Sequence, residues 1–148
     1  MPGAAGRILG LDFGKRRIGL ALSDELGITA QGLPTLTRNT RSEDFDYLSQ
    51  LIDSRQVRRV VVGHPLNMNG SEGAQARQAV QFGRTLANRY GVEVTMWDER
   101  LTTREAGRVL RNSGVGLQKR QGAVDKLSAV LILQSYLDSL GETGLGSP

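Results

Sequence analysis

Three acidic residues stand where predicted strands end or a predicted helix begins, and together they could hold a metal ion. Asp12 closes one short apolar run, Glu99 follows another, and Asp125 stands at the predicted start of the last helix. Clustered carboxylates repel one another unless a cation holds them together. The chain has no cysteine and one histidine, so its oxygen donors favour Mg²⁺ or Mn²⁺ over zinc. Two such ions about 3.5 to 4 Å apart can activate a water and stabilise the leaving oxygen in phosphodiester cleavage.

Each acidic position also has a purely structural interpretation. An acid directly after a strand is most often a turn residue, which is the alternative for Asp12. The helix dipole favours an aspartate in a first turn, as at Asp125, and Asp98 and Glu99 could simply precede a helix cap at Thr102. The metal hypothesis therefore depends on convergence. If the strands are parallel, their carboxyl ends open on the same edge of the sheet, where open α/β folds bind ligands.

Basic residues accompany the acids along the chain. A run of three cations, residues 15–17, follows Asp12 directly, and four more could line the same edge. Such runs are usually solvated faces, but here their position predicts a track for phosphate groups. The basic residues of this prediction are Lys15, Arg16, Arg17, Arg100, Arg104, Lys119 and Arg120.

The segment 63–73 is too polar and glycine-rich to belong to a core. Asn67, Asn69 and Ser71 offer neutral donors just before a helix N-terminus, which suits a phosphate, although an ordinary turn with an N-cap has the same composition. His64 is the only histidine. It is either an incidental loop residue or an acid or base in proton transfer, and its role stays open.

The pattern of apolar residues predicts an α/β fold, a five-stranded mixed sheet flanked by helices. The predicted strands are residues 7–13, 18–23, 32–37, 57–63 and 92–97. The predicted helices are residues 42–55, 72–90, 102–112 and 124–140. The first three strands form an antiparallel meander whose third member is an edge candidate because it contains Pro34. Ser42 is the expected N-cap of the first helix, and Gly114 and Gly116 predict a loop that carries Lys119 and Arg120.

Length and composition favour a single globular domain. At 148 residues the chain matches the size of one domain, here residues 7–140, with a flexible N-terminus at 1–6 and a frayed glycine-rich tail at 141–148. Nineteen Lys and Arg against fifteen Asp and Glu give a net charge of +4, which suits a polyanionic partner. The absence of cysteine excludes disulfides, thiolate metal sites and a cysteine nucleophile. No apolar run approaches the ~20 residues of a membrane span and no secretory signal precedes the domain, so we expect a cytoplasmic protein.

Four motifs together resemble one family. They are Gly-Leu-Asp-Phe-Gly-Lys-Arg-Arg-Ile-Gly at 10–19, the segment 63–73, Asp-Glu-Arg-Leu-Thr-Thr at 98–103 and Val-Asp-Lys-Leu-Ser-Ala at 124–129. In this order they resemble the YqgF family, described both as Holliday junction resolvases and as pre-16S rRNA nucleases. The resemblance implies a ribonuclease H-like fold, a divalent metal, and trimming of the 5′ end of the 16S rRNA precursor in the bacterial cytoplasm.

The resemblance also implies which residues form the site. The family's acidic positions fall on Asp12, Glu99 and Asp125, as metal ligands and catalytic residues. The family pattern has an aliphatic residue where His64 stands and an aspartate where Asn69 stands, so it gives neither of these two a catalytic role.

Several alternatives remain open at this stage. A Holliday junction resolvase would use the same carboxylates on four-way DNA, because substrate choice depends on shape and on 2′-hydroxyl contacts. The Asp-Phe-Gly turn is also similar to the first phosphate loop of actin-like ATPases, but those folds need two domains. A nucleic-acid-binding module without catalysis is disfavoured by three intact acidic positions. Oligomeric state, metal stoichiometry and cleavage position are not predicted.

Overall fold

The computed structural model describes the backbone of residues 6–101 and 117–146 and the side chains of residues 6–100 and 126–140. Its strands are β1 (Arg7–Phe13), β2 (Arg17–Ser23), β3 (Ala30–Thr37), β4 (Val57–His64) and β5 (Glu93–Asp98). They form one sheet in the order β3–β2–β1–β4–β5. The pairs β1/β2 and β2/β3 are antiparallel, whereas β4 runs parallel to both β1 and β5. The predicted meander beside parallel strands is confirmed, with Pro34 on the edge strand.

Helices cover both faces of the sheet. They are α1 (Arg41–Ser54), α2 (Ala74–Tyr90) and α3 (Leu117–Gly146), and a 3₁₀ turn (Glu99–Leu101) follows β5. The N-cap of α1 is Thr40 rather than the predicted Ser42. The Thr40 hydroxyl accepts a hydrogen bond from the Glu43 amide at 3.1 Å and donates one to the Glu43 carboxylate at 2.9 Å. The Thr40 side chain thus caps one free amide of the first turn and fixes where the helix begins.

The helix α3 is longer than predicted at both ends. It begins at Leu117 instead of residue 124, so Lys119 and Arg120 belong to a helix and the loop predicted to carry them is wrong. Residues 118–121 are good helix formers, and a single Gly122 costs only about 1 kcal/mol relative to alanine. The helix also continues past Leu140 to Gly146. The helix predicted at 102–112 lies outside the described residues.

Two apolar clusters lie on opposite faces of the sheet. Leu9, Leu11 and Phe13 belong to the cluster beneath α1 and α2, whereas Ile8 belongs to the one beneath α3. The helix α3 approaches β1 so closely that a Cβ at Gly10 would stand 2.8 Å from the Cβ of Leu133. Within the described part of the chain, no helix combines the length and the hydropathy needed to cross a membrane.

Candidate active site

The carboxyl ends of β1, β4 and β5 meet at one edge of the sheet. Leu11 of β1 is paired with Val62 of β4, and His64 of β4 is paired with Asp98 of β5. Asp12 therefore lies beside Gly63, and Glu99 follows the next strand directly. The structure thus brings Asp12 and Glu99 to the same edge, as the parallel arrangement predicted.

The alternation of strand side chains sorts the edge residues onto two faces. Asp12 follows Ile8 and Gly10 at spacings of two along β1, so it lies on the face covered by α3. Phe13 belongs to the core on the opposite face. The alternation of side chains along the strand thus places Asp12 and Phe13 on opposite faces. This alternation is visible in the sequence, but our prediction did not use it.

Gly63 makes room for the Glu99 carboxylate. A Cβ built on Gly63 would stand 2.6 Å from Oε2 of Glu99 and 2.7 Å from Cδ1 of Ile132 in α3. Any side chain at this position would therefore collide with both groups. The carboxylate lies in a narrow space between the end of β4 and the helix above it.

Burial and negative neighbours together shift the protonation of Glu99. Burial, followed by the negative charges of Asp12 and Asp98, raises the pKa of its carboxyl from 4.5 to about 8. Ionising Glu99 at neutral pH is therefore unfavourable unless a positive charge compensates for it. The donor set, partly buried carboxylate oxygens of two neighbouring acids, fits a hard divalent cation.

Asp98, the residue before Glu99, is held by Arg100. Its carboxylate accepts hydrogen bonds from Nη2 of Arg100 at 2.7 Å and from Nε at 3.0 and 3.1 Å, and from the Arg100 amide at 2.9 Å. These bonds hold the pKa of Asp98 below its usual value. The predicted phosphate contact Arg100 is thus engaged with Asp98, at the end of β5.

His64 ends β4 rather than lying in a loop, because the strand continues one residue further than predicted. Its Nε2 lies 2.6 Å from Oε2 of Glu72, just before α2. Asp12 and Gly63 lie side by side on neighbouring strands and therefore share one face of the sheet. His64 follows Gly63 by one residue, so it lies on the opposite face. The histidine and the Glu99 carboxylate are therefore on different sides of the sheet edge.

The neutral donors of the segment 63–73 bind one another. The Asn67 amide nitrogen donates to the Ser71 hydroxyl at 3.0 Å, and Asn69 Oδ1 accepts from the Ser71 hydroxyl at 2.6 Å and from its amide at 3.0 Å. These bonds fix the loop before α2. Contact of these side chains with phosphate remains a prediction.

The basic turn lies beside the acidic edge. Lys15 and Arg16 are exposed in the turn between β1 and β2, and Arg17, half-buried, begins β2. Three further cations lie near this turn and were not predicted from the sequence: Arg38, Arg41 and Arg77 line one cavity with Lys15. They were missed because they come from three separate segments of the chain.

Four predicted site residues have side chains outside the described part of the chain. Asp125, Lys119 and Arg120 belong to the backbone of α3, but their side chains lie outside the described residues, and so does the whole of Arg104. Among the side chains that the structure does describe, no group of three or more acidic or histidine residues is arranged to hold a metal. The third carboxylate of the site remains a prediction.

Comparison with known proteins identifies close relatives over almost the whole chain. The model of the RuvX family, described as Holliday junction resolvase, matches residues 6–139. A protein of Koribacter versatilis is 51% identical over 136 residues, covering 92% of this chain and 89% of the relative. A protein of Bacillus subtilis is 46% identical over 136 residues, covering 90% and 99%. Both carry the name "Putative pre-16S rRNA nuclease".

Comparison of structures identifies the fold. RuvC of T. thermophilus in complex with Holliday junction substrate has a TM-score of 0.58 at 14% identity, covering 93% of this chain and 97% of that chain. A second structure of Thermus thermophilus RuvC has a TM-score of 0.53 at 13% identity, covering 91% and 96%. The predicted ribonuclease H-like fold is confirmed.

Proposed function

This chain belongs to the RuvX family, the family of the YqgF proteins that its motifs resemble, and we propose that it is a divalent-metal-dependent endonuclease that trims the 5′ end of the 16S rRNA precursor. Hydrolysis of phosphodiester bonds is the chemistry in the names of both its family and its relatives. We further propose that it acts in the cytoplasm, where bacterial ribosomes are assembled.

One observation supports this function above the others. The Glu99 carboxylate is buried against Gly63 and lies within the field of Asp12 at the carboxyl edge of the parallel strands. Two neighbouring carboxylates that are partly buried are costly in a structural role, because each charge raises the free energy of the other. The cost is offset when the pair binds a cation, as the proposed chemistry requires.

We propose that Asp12, Glu99 and Asp125 hold Mg²⁺ or Mn²⁺. Asp125 stands in α3 four residues before Ala129 and seven before Ile132, and both of these pack against the sheet. The helical repeat supports a position for Asp125 on the same stripe, towards the acidic edge. When bound, the cation would supply an activated water and stabilise the leaving oxygen.

In this proposal, the predicted basic and neutral contact residues bind and position the substrate. Lys15, Arg16 and Arg17 contact phosphates beside the acidic edge, since the turn presents them there. The remaining predicted contacts with nucleic acid are Asn67, Asn69, Ser71, Arg100, Arg104, Lys119 and Arg120. Of these, Arg100 is held by Asp98, which limits where its guanidinium can reach.

A second candidate function is resolution of four-way DNA junctions. It is favoured by the description of the family and by the fold shared with RuvC, which was solved with a Holliday junction. The names of the more similar relatives favour the rRNA precursor. Both candidates use the same carboxylates, so only the substrate distinguishes them.

Cleavage of the two substrates measured side by side tests the proposal. A fragment of the 16S rRNA precursor and a four-way DNA junction are incubated with the protein, with and without Mn²⁺. We expect metal-dependent cleavage of the RNA, its loss in Asp12→Asn and Glu99→Gln, and its retention in the control Asp53→Asn, an exposed acid of α1. Cleavage of the junction alone would favour the second candidate. Cleavage of neither substrate would overturn the nuclease assignment.

A further inference from the structure

A cavity of about 720 Å³ lies on the face of the sheet opposite Asp12 and Glu99. It is open to solvent and is bounded by the β1–β2 turn, the start of α1 and the first turns of α2. The rings of Phe13 and Phe82, which are almost fully buried, line its inner wall. The cavity is therefore separate from the acidic pair, although both reach the same edge of the sheet.

The walls of this cavity are strongly basic. Four cationic side chains line it, Lys15, Arg38, Arg41 and Arg77, and none of the lining residues that the structure describes is acidic. Only Arg38 has a carboxylate partner, Asp44, at 3.4 Å. The other three make no ion pair with any described residue. Three uncompensated positive charges around one concave space attract an anion.

Neutral groups also hold Arg38 and Arg41 in place, in addition to the Asp44 carboxylate that pairs with Arg38. The guanidinium of Arg38 lies 4.5 Å from the centre of the Phe13 ring and donates to the backbone oxygens of Gly14 at 2.9 Å and Lys15 at 3.2 Å. Arg41 donates to the Thr85 hydroxyl at 3.2 Å. Fixing these side chains before binding lowers the entropic cost of capturing a ligand.

Arg77 completes the arrangement from α2. It donates to the backbone oxygen of Glu72 at 3.2 Å, and two glutamines, Gln78 and Gln81, stand beside it on the cavity wall. Arginine guanidinium groups and side-chain amides are the donors that bind phosphate oxygens. The donor set therefore matches a phosphate group better than an apolar or cationic ligand.

The position of Lys15 connects the cavity to the acidic edge. Lys15 follows Asp12 by three residues, so their Cα atoms are at most about 10 Å apart. A nucleic-acid strand that places one phosphate at Asp12 can therefore place a nearby phosphate at Lys15, on the other side of the sheet edge. A small free phosphate compound would not need this proximity.

We propose that this basic cavity binds a phosphate of the nucleic-acid strand that flanks the cleaved bond, as a second and non-catalytic contact. The inference rests on the proposed nuclease function for the identity of the strand. It assigns Arg38, Arg41 and Arg77, together with Lys15, to substrate binding.

The test compares two variants with the same kind of charge change. In Lys15→Gln/Arg77→Gln the cavity loses two cations, and in the control Arg55→Gln a cation is lost at the exposed end of α1, at the opposite edge of the sheet. Binding of a short labelled RNA strand is measured between about 50 and 200 mM salt. Each lost phosphate contact flattens the plot of log affinity against log salt by about 0.7 to 0.9. We expect the double variant to lose about 1.4 to 1.8 and the control to keep the slope of the unaltered protein.

Equal slopes for the double variant and the unaltered protein would overturn the proposal, and so would an equal loss in Arg55→Gln. Titration with inorganic phosphate covers the other source of the same chemistry. If inorganic phosphate binds in a way that depends on Arg77, but the salt dependence of RNA binding is unchanged in the double variant, the cavity binds a small phosphate compound. That result would overturn the proposal that it binds a phosphate of the nucleic-acid strand. Cleavage is measured in parallel. A flattened slope without any cleavage would support phosphate binding by the cavity and contradict the proposed nuclease function. Cleavage with unchanged slopes would support the nuclease function and contradict phosphate binding by the cavity.

Discussion

The Glu99 carboxylate occupies the space that a side chain at Gly63 would fill, with Oε2 of Glu99 only 2.6 Å from the position of that missing Cβ. Gly63 is the residue of β4 between Asp12 on one neighbouring strand and Trp97 on the other. A glycine in the interior of a strand weakens it, so its presence here has a packing reason. That reason is the approach of Glu99 and Ile132 to the strand backbone.

Gly63→Ala is therefore expected to disrupt the site. The added methyl group must displace both Glu99 and Ile132, and overpacking of this kind costs about 1 to 3 kcal/mol. We expect a lower free energy of unfolding in urea and loss of metal-dependent cleavage. The control is Gly73→Ser, where a Cβ meets nothing closer than 3.7 Å and serine is a good N-cap for α2. A fully stable and active Gly63→Ala protein would show that Glu99 does not need this space.

The raised pKa of Glu99 predicts a pH dependence of stability. Its folded-state pKa of about 8 is above the ordinary value of 4.5, so its contribution to stability is present below about pH 4.5 and is lost as the pH rises through about 8. We expect the metal-free protein to lose thermal stability across this window. Glu99→Gln should lose less, because its amide does not ionise. If the thermal stability of both proteins falls equally with pH, the raised pKa of Glu99 is contradicted.

Asp12→Asn tests the electrostatic link between the two acids. Removing the Asp12 charge removes one of the causes that raise the pKa of Glu99, so the pH at which stability is lost should move down. We expect an intact fold, a melting temperature of the metal-free protein that is equal or higher, and no cleavage. A large loss of stability would instead indicate that Asp12 is a structural turn residue.

Arg16 tests whether the basic turn contacts nucleic acid. Arg16→Glu should weaken binding and flatten its salt dependence by at least about 0.7 to 0.9, because a phosphate contact is lost and a repulsive charge is added. The pH dependence of stability should not change, because Arg16 is exposed and is not among the groups that shift the pKa of Glu99. Binding measured across a salt series decides the matter. An unaltered slope would mean that the turn is only a solvated surface.

The sequence predicted the sheet, its mixed order and the edge where Asp12 and Glu99 meet, because these follow from apolar runs and from parallel strand ends. It did not predict the start of α3, since Gly114 and Gly116 indicated a loop that residues 117–123 do not form. The role of Gly63 could not be anticipated either, because it depends on how closely α3 and the turn after β5 approach the strand. The basic cavity is a property of tertiary structure, since Lys15, Arg38, Arg41 and Arg77 become neighbours only after folding.

Calorimetric titration with Mn²⁺ at pH 7 tests the central claim most directly, because it measures the proposed cation site without depending on the substrate. Since the pKa of Glu99 is about 8, binding should release nearly one proton, which appears as a heat that varies with the buffer's ionisation enthalpy. We predict that Asp12→Asn and Glu99→Gln lose at least about tenfold in affinity, that Glu99→Gln releases no proton, and that Asp53→Asn binds as the unaltered protein does. Unchanged Mn²⁺ binding in both acidic-site variants, or no binding by the unaltered protein, would contradict the account.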